Sequence, residues 1–165
     1  CLVVGTEELD WLTADAFQYF SRRWRLAAGA GALYLKRGDD STTLPKLAAV
    51  TDALTHTHVT PRTQATAQVR QQLPKGSTAD LLCDSRVGIH KMDAAETGAW
   101  NDWSGQRCSI RQLMGDGLMA AAAWQCVVAV ESVRRGKSPA SMVSVVGPNQ
   151  QSIGACFTSS TSTSS

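Results

Sequence analysis

Apolar residues come in short runs along this chain, with polar stretches between them. Leu2-Val3-Val4 running into Gly5 predicts a buried strand at the very start. Termini normally lie at the surface and fray, so a buried first strand predicts that something upstream shares its sheet. Thr13 to Tyr19 predicts a short helix with Thr13 as its cap. Gly29-Ala30-Gly31-Ala32 running into Leu33-Tyr34-Leu35 predicts a strand whose small residues let another backbone approach. Gly38-Asp39-Asp40-Ser41 reads as a turn, and Leu44, Leu47, Val50 and Leu54 as a passage from strand to loop.

The second half is more regular. A Thr-rich loop from His56 leads into a helix over Thr63–Leu73, and Ala79–Asp84 predicts a second buried strand. Asp93 to Trp103 predicts a helix whose acidic first turn suits the dipole, and Cys108-Ser109-Ile110 a third short strand. Leu118 to Arg135 is the strongest helix pattern. It is apolar almost all round, which predicts burial on both sides. It ends on Arg134-Arg135-Gly136, basic residues before a stop glycine. Ser141–Gly147 and Ser152–Phe157 predict two strands joined by a turn over Pro148-Asn149-Gln150-Gln151. Strands alternating with helices give an α/β class. The organisation expected is one region over 1–157 and a disordered Ser/Thr tail over 158–165.

Composition adds mostly exclusions. A chain of 165 residues buries roughly two thirds of its unfolded surface, enough for one real core. With 43% hydrophobic and 18% charged residues it has ordinary globular composition. A net charge of +2 without a basic run gives no footprint for nucleic acid. No apolar run nears the ~20 residues of a membrane span, and no signal peptide is visible. The five cysteines, Cys1, Cys83, Cys108, Cys126 and Cys156, lack CxxC or zinc spacing, and His56, His58 and His90 form no ligand pattern. Neither a metal nor a cofactor is expected. Cysteines in apolar surroundings read as small buried hydrophobes of a reducing, cytoplasmic compartment.

Three blocks carry a family resemblance. Leu2-Val3-Val4-Gly5-Thr6-Glu7-Glu8 precedes Ala28-Gly29-Ala30-Gly31-Ala32-Leu33. Ala79-Asp80-Leu81-Leu82 leads through Gly88 to Asp93-Ala94-Ala95-Glu96. Met114-Gly115-Asp116-Gly117-Leu118 leads through the Ala-rich helix to Val145-Val146-Gly147-Pro148-Asn149. In this order and spacing they resemble the C-terminal half of a β-ketoacyl synthase. The resemblance implies the C-terminal half of a thiolase-like αβαβα fold, completed by another chain. It also implies three partners: the N-terminal half of the same ketosynthase-like subunit, an active ketosynthase subunit and an acyl carrier protein. Arg22, Arg23, Arg25, Arg134 and Arg135 are then candidate contacts for an acidic carrier.

The same resemblance places the family's site positions. Condensation needs an acyl-bearing thiolate and two imidazoles to stabilise a developing oxyanion. The family's nucleophile falls upstream of this chain. Its first histidine aligns with Ser85, its lysine with Arg111 and its second histidine with Asp116. A carboxylate at 116 repels an oxyanion, by about 1 kcal/mol at 4 Å even in bulk water. Arg111 is expected to pair with Asp116 and close the emptied site. His90 lies five residues past Ser85, but the Asp93…Glu96 anchor opposes a register that would bring it in.

These substitutions predict a non-catalytic subunit like a chain length factor. It would pair with an active ketosynthase in type II polyketide or specialised fatty-acid synthesis and shape the acyl tunnel. The alternative is an acyltransferase, hydrolase or self-processing protein using Cys1. A terminal thiol beside an α-amine of pKa near 8 is the arrangement of N-terminal nucleophiles. A cut before Cys1 by the chain itself, by a protease or at an artificial boundary would each leave this start. A binding module without an acyl ligand is the third class.

Overall fold

A computed structural model describes residues 1–38, 43–147 and 150–160. The chain is an α/β protein. β1 (Leu2–Glu7) is followed by α1 (Trp11–Phe20) and β2 (Gly29–Tyr34). Then come β3 (Lys46–Val50), β4 (Leu54–Thr55), α2 (Arg62–Gln72) and β5 (Leu81–Cys83). α3 (His90–Ala99), β6 (Gln106–Cys108) and α4 (Ile110–Met114) lead to α5 (Met119–Arg134), β7 (Ala140–Val146) and β8 (Gln151–Thr158).

The strands form two sheets. β1 and β2 pair antiparallel as a two-stranded ribbon, Gly5 opposite Gly31. The other six form a mixed sheet in the order β3-β8-β7-β5-β6, with β4 also on β8. β5 runs parallel to both β6 and β7, whereas β7 and β8 are antiparallel. Leu81, Leu82 and Cys83 of β5 are all buried, as a central parallel strand requires.

α5 lies between the two sheets, in contact with β1 and β2 on one side and β5, β7 and β8 on the other. Its all-round apolar surface thus has two faces to cover, as predicted. Glycine lets the ribbon approach it: a Cβ on Gly31 would sit 2.9 Å from the Ala123 Cβ, and one on Gly29 2.6 Å from the Trp124 ring. One core lies on the α5 face, with Leu81, Cys83, Ala129, Val133, Val143 and Phe157. The other packs Val69 and Leu73 of α2 and Trp100 and Trp103 against Leu82, Met142 and Cys156. The layers are therefore ribbon, α5, main sheet, then α2 with α3.

Several expectations shift. Asp10 caps α1, its Oδ1 accepting from the Thr13 backbone N at 2.6 Å; Thr13 sits inside the first turn. α3 starts at His90, three residues early, because Asp93 accepts from Val87 N and Gly88 N (2.9 Å each) and fixes the preceding turn. The strand expected at 108–110 ends at Cys108, and Ile110 opens α4. β1 forms as expected but is not buried within this chain: Leu2 and Val4 are 63% and 53% exposed. Thr158, assigned to the tail, closes β8, and Ser159 N donates to Pro139 O. Residues 39–41 of the first predicted turn, 148–149 of the second and 161–165 of the predicted tail lie outside the described residues. Among the described residues no helix is long and apolar enough to cross a membrane.

Candidate functional site

The three predicted positions, far apart in sequence, meet at one end of the main sheet. Ser85 follows β5, Arg111 lies in α4 and Asp116 in the turn from α4 to α5. Arg111 Nη2 lies 2.8 Å from Asp116 Oδ1, with both side chains almost wholly buried. Arg111 Nη1 donates to the Ser85 carbonyl at 3.0 Å. The expected ion pair is present, and it ties all three positions together.

Local backbone chemistry holds Asp116 in place. Gly115, at φ +98°, makes the sharp exit from α4 that a side-chain-bearing residue resists. Asp116 N donates to Arg25 O at 2.7 Å, and Ala27 N donates to Asp116 O at 3.0 Å, so the turn is stitched to the segment before β2. Trp24 Nε1 donates to Asp116 Oδ2 at 3.0 Å, and the Trp24 ring packs edge-on against Phe17. Asp116 Oδ1 also accepts from Leu118 N at 2.9 Å, which holds Leu118 at φ 43°, a region non-glycine residues seldom occupy. The carboxylate therefore has three donors besides its backbone contacts.

Ser85 is equally engaged. Its N and Oγ donate to Glu96 Oε2 at 3.0 and 2.9 Å, and its Oγ accepts from Val146 N at 2.9 Å. The other Glu96 oxygen accepts from Ser144 Oγ, which in turn accepts from Trp100 Nε1 at 3.1 Å. Burial pushes the Glu96 carboxyl up to about 7, with a smaller push from the charge of Asp84; the serine hydrogen bonds oppose both. Asp84, fully buried, is held by Arg86 Nε at 2.7 Å with Arg107 Nη1 at 3.8 Å. Arg62 enters from α2 and donates to Val146 O at 3.2 Å. Burial lowers its pKa, as does the charge of Arg111.

The space left among Trp24, Arg62, Ser85, Glu96, Arg111 and Asp116 is about 10 Å³, that of a single water. No imidazole lines it. His90 stands at the start of α3 in a surface cleft with Arg86, Gly88 and Thr97, outside the cluster. His56 lies near Arg62; burial lowers its pKa, as does the Arg62 charge. His58 is exposed. Among the described residues no group of His, Cys, Asp and Glu is placed to hold a metal.

Cys1 is not brought to this cluster. It is exposed, and its backbone N and O both pair with Leu35. The opposite end of β1, where Glu7 accepts from Met119 N, is the end near Asp116. The two ends of this six-residue strand lie about 17–20 Å apart. Burial raises the thiol pKa of Cys83 and Cys156, and that of half-buried Cys126 to about 11, which disfavours the thiolate in all three.

Trp24, Arg62 and Ser144 belong to the site and were not singled out from the sequence. Ser144 did leave a trace, since a serine inside an apolar strand must find a buried partner. Trp24 and Arg62 reach Asp116 and Val146 across 92 and 84 residues, and no local pattern announces such contacts.

No protein-family model matches the chain, and no curated protein does. Among solved structures it is similar to one chain of a structure described as a type II PKS acyl-carrier protein in complex with its ketosynthase bound to the hexaketide (AntDE:AntF, apo). The superposition has a TM-score of 0.70 at 10% identity and covers 96% of this chain and 49% of the matched chain. The likeness is one of fold, and this chain spans about half the length of its counterpart.

Proposed function

We propose that the chain is the C-terminal half of a thiolase-like, ketosynthase-like subunit that works as a non-catalytic partner in the manner of a chain length factor. A second polypeptide supplies the rest of the fold, and an active ketosynthase supplies the chemistry of type II polyketide or specialised fatty-acid synthesis. The subunit's part is to wall the acyl tunnel. The observation that carries this reading is the buried Arg111–Asp116 pair beside a Ser85 locked onto Glu96. Where the resemblance implies two imidazoles, the chain has a hydroxyl already engaged on both sides and a carboxylate already neutralised. Neither is a donor free to meet an oxyanion, and no room is left for one.

Further support comes from the order of the three sequence blocks and from a fold likeness that covers half of a chain in a ketosynthase complex. The exposed Leu2, Val4 and Tyr34 of the ribbon suit a subunit completed by another chain. An acyl carrier protein is the delivering partner in this reading. Arg22, Arg23 and Arg25 are exposed and have no ion pair among the described residues, so they offer it a basic face. Arg134 and Arg135 are weaker candidates, because Glu131 already engages both. The reading with Cys1 as nucleophile draws no support from the geometry, which gives its thiol no place in the polar cluster.

The test is co-expression of the chain and its complementing half with active ketosynthases, followed by affinity purification and mass spectrometry of carrier-bound products. The expected result is a stable complex whose product length changes when exposed Met119 is replaced, with no condensation without the ketosynthase. Condensation by the subunit alone, or acylation of Cys1 by a thioester, would sink the reading.

A further inference from the structure

α1 carries more apolar surface than this chain covers. None of its described side chains is buried, and Trp11, Leu12 and Tyr19 are 77%, 62% and 93% exposed. Leu12, Ala16 and Tyr19 follow the i, i+4, i+7 spacing that lines one side of a helix, with Trp11 and Asp15 along the flank. Phe17, on the opposite side, packs edge-on against Trp24 and leaves the stripe to solvent. A helix of 10 residues is marginal in water unless packing supports it, so an uncovered stripe on one this short favours a partner.

The charges at its two ends are of opposite sign. Glu8 and Asp10 are exposed just before the helix, and Arg22 and Arg23 just after it. Glu8, Arg22 and Arg23 form no ion pair among the described residues, and Asp10 caps the helix through Oδ1 alone. Such a helix is complementary to itself. Set antiparallel about a two-fold axis at Ala16, a second copy places Leu12 against Tyr19 twice and brings the basic turn of each copy over the acidic start of the other. Ala16, the smallest residue of the stripe, lets the two helices meet closely. Four aromatic side chains at roughly 150–250 Å² each, with Leu12, bring the contact near the ~1,000 Å² of a specific interface. Asp15, on the flank near the axis, opposes the pairing and keeps it weak. An anionic membrane would leave Glu8 and Asp10 facing like charge.

The geometry points to α1 as the interface of a weak two-fold homodimer, in which this helix pairs antiparallel with its counterpart in a second copy of the chain. The inference does not rest on the ketosynthase-partner reading. The two meet only at Arg22 and Arg23, for which a second copy and an acidic carrier would compete.

The test is sedimentation equilibrium of the full chain from about 1 to about 100 μM, with circular dichroism of each variant. A reversible monomer–dimer equilibrium in the micromolar range is expected, as suits an interface at the low end of specific sizes. Leu12→Glu and Tyr19→Glu, both at exposed positions, are each expected to weaken it about tenfold or more with the circular dichroism unchanged. Arg23→Glu is expected to weaken it about fivefold, and Glu8→Arg in the same chain to restore it, because the facing charges are again opposite. Tyr34→Glu, on the open side of the ribbon, is expected to leave it unaltered. A chain still monomeric at about 100 μM, a dimer that survives both Leu12→Glu and Tyr19→Glu, or a charge-swapped chain no tighter than Arg23→Glu overturns the proposal. Loss of the dimer in Tyr34→Glu but not in Tyr19→Glu also overturns it, and assigns the self-association to the ribbon.

Discussion

Arg111 and Asp116 form a buried ion pair at 2.8 Å that also ties α4 to the start of α5. Desolvating both charges is costly, and their mutual attraction offsets that cost only while both remain. Asp116→Ala is therefore expected to destabilise the chain by about 3–5 kcal/mol, because it strands a buried guanidinium. Trp24 Nε1 and Leu118 N lose their acceptor as well. The double change Arg111→Met with Asp116→Leu is expected to recover much of that loss. Urea midpoints of the parent and the two variants check it, and equal midpoints for the single and double variants would contradict it.

Ser85→His restores the residue type that the family resemblance implies, yet there is no room for it. The hydroxyl is buried between Glu96 and Val146 N, beside a space of about 10 Å³. Overpacking of this kind costs typically 1–3 kcal/mol, so a lowered melting temperature is expected. An unchanged melting temperature would mean that the cluster yields more readily than its hydrogen bonds indicate.

Glu96 makes stability depend on pH in a defined sense. Its carboxyl titrates near 7 in the fold against an ordinary 4.5, so the folded state holds the extra proton between those values. The group whose folded pKa is raised contributes its stabilisation below 4.5 and loses it as pH rises through 7. Burial sets most of the shift, the charge of Asp84 adds to it, and the Ser144 and Ser85 hydrogen bonds oppose it. Glu96→Gln is expected to flatten the fall in denaturant midpoint between pH 5 and pH 7.5. A variant that keeps the parent's slope would assign that slope to another group.

Two glycines predict opposite outcomes. Gly31→Val would drive its side chain into Ala123, 2.9 Å from the first added carbon, and separate ribbon from helix. A loss of about 1–3 kcal/mol is expected. Gly98 lies in α3 with nothing within 4 Å of an added Cβ. Gly98→Ala should stabilise by roughly 0.5–1 kcal/mol, because alanine loses less freedom in a helix. Thermal melts of both variants test the pair.

Thiol reactivity should follow exposure and ionisation. Cys1 is exposed, whereas Cys83 and Cys156 are buried with raised pKa values. Brief labelling with a maleimide followed by peptide mass spectrometry is expected to modify Cys1 first, and Cys83 and Cys156 only after denaturation. Early labelling of Cys83 would mean that the α5 face opens.

The sequence carried the α/β alternation and most element positions because each rests on a local signal. Gly136 after Arg134-Arg135 marks the end of α5 and adopts φ +65°. The Gly29–Gly31 stretch announced a close approach that turned out to be α5. The Arg111–Asp116 pairing was legible because five residues separate the partners and the chemistry of the two side chains is complementary. Other features depend on distant partners. Asp10 rather than Thr13 caps α1, since either residue type suits a cap and only the backbone geometry chooses. Trp24, Arg62 and Ser144 join the site only once the sheets and α2 are assembled. The exposure of β1 could not be read from Leu2-Val3-Val4, because an apolar run states what a strand prefers to cover and not what covers it.

The β1–β2 ribbon has a practical consequence. Leu2, Val4 and Tyr34 form a hydrophobic ladder on its open side, and neither long edge pairs with another described strand. Concentrated alone, such a surface recruits whatever strand or oily face drifts by, including its own copies. Handling of the isolated polypeptide is thus a colloidal problem before it is an enzymological one, and additives or fusion partners that mask the ladder should govern how much usable material is recovered.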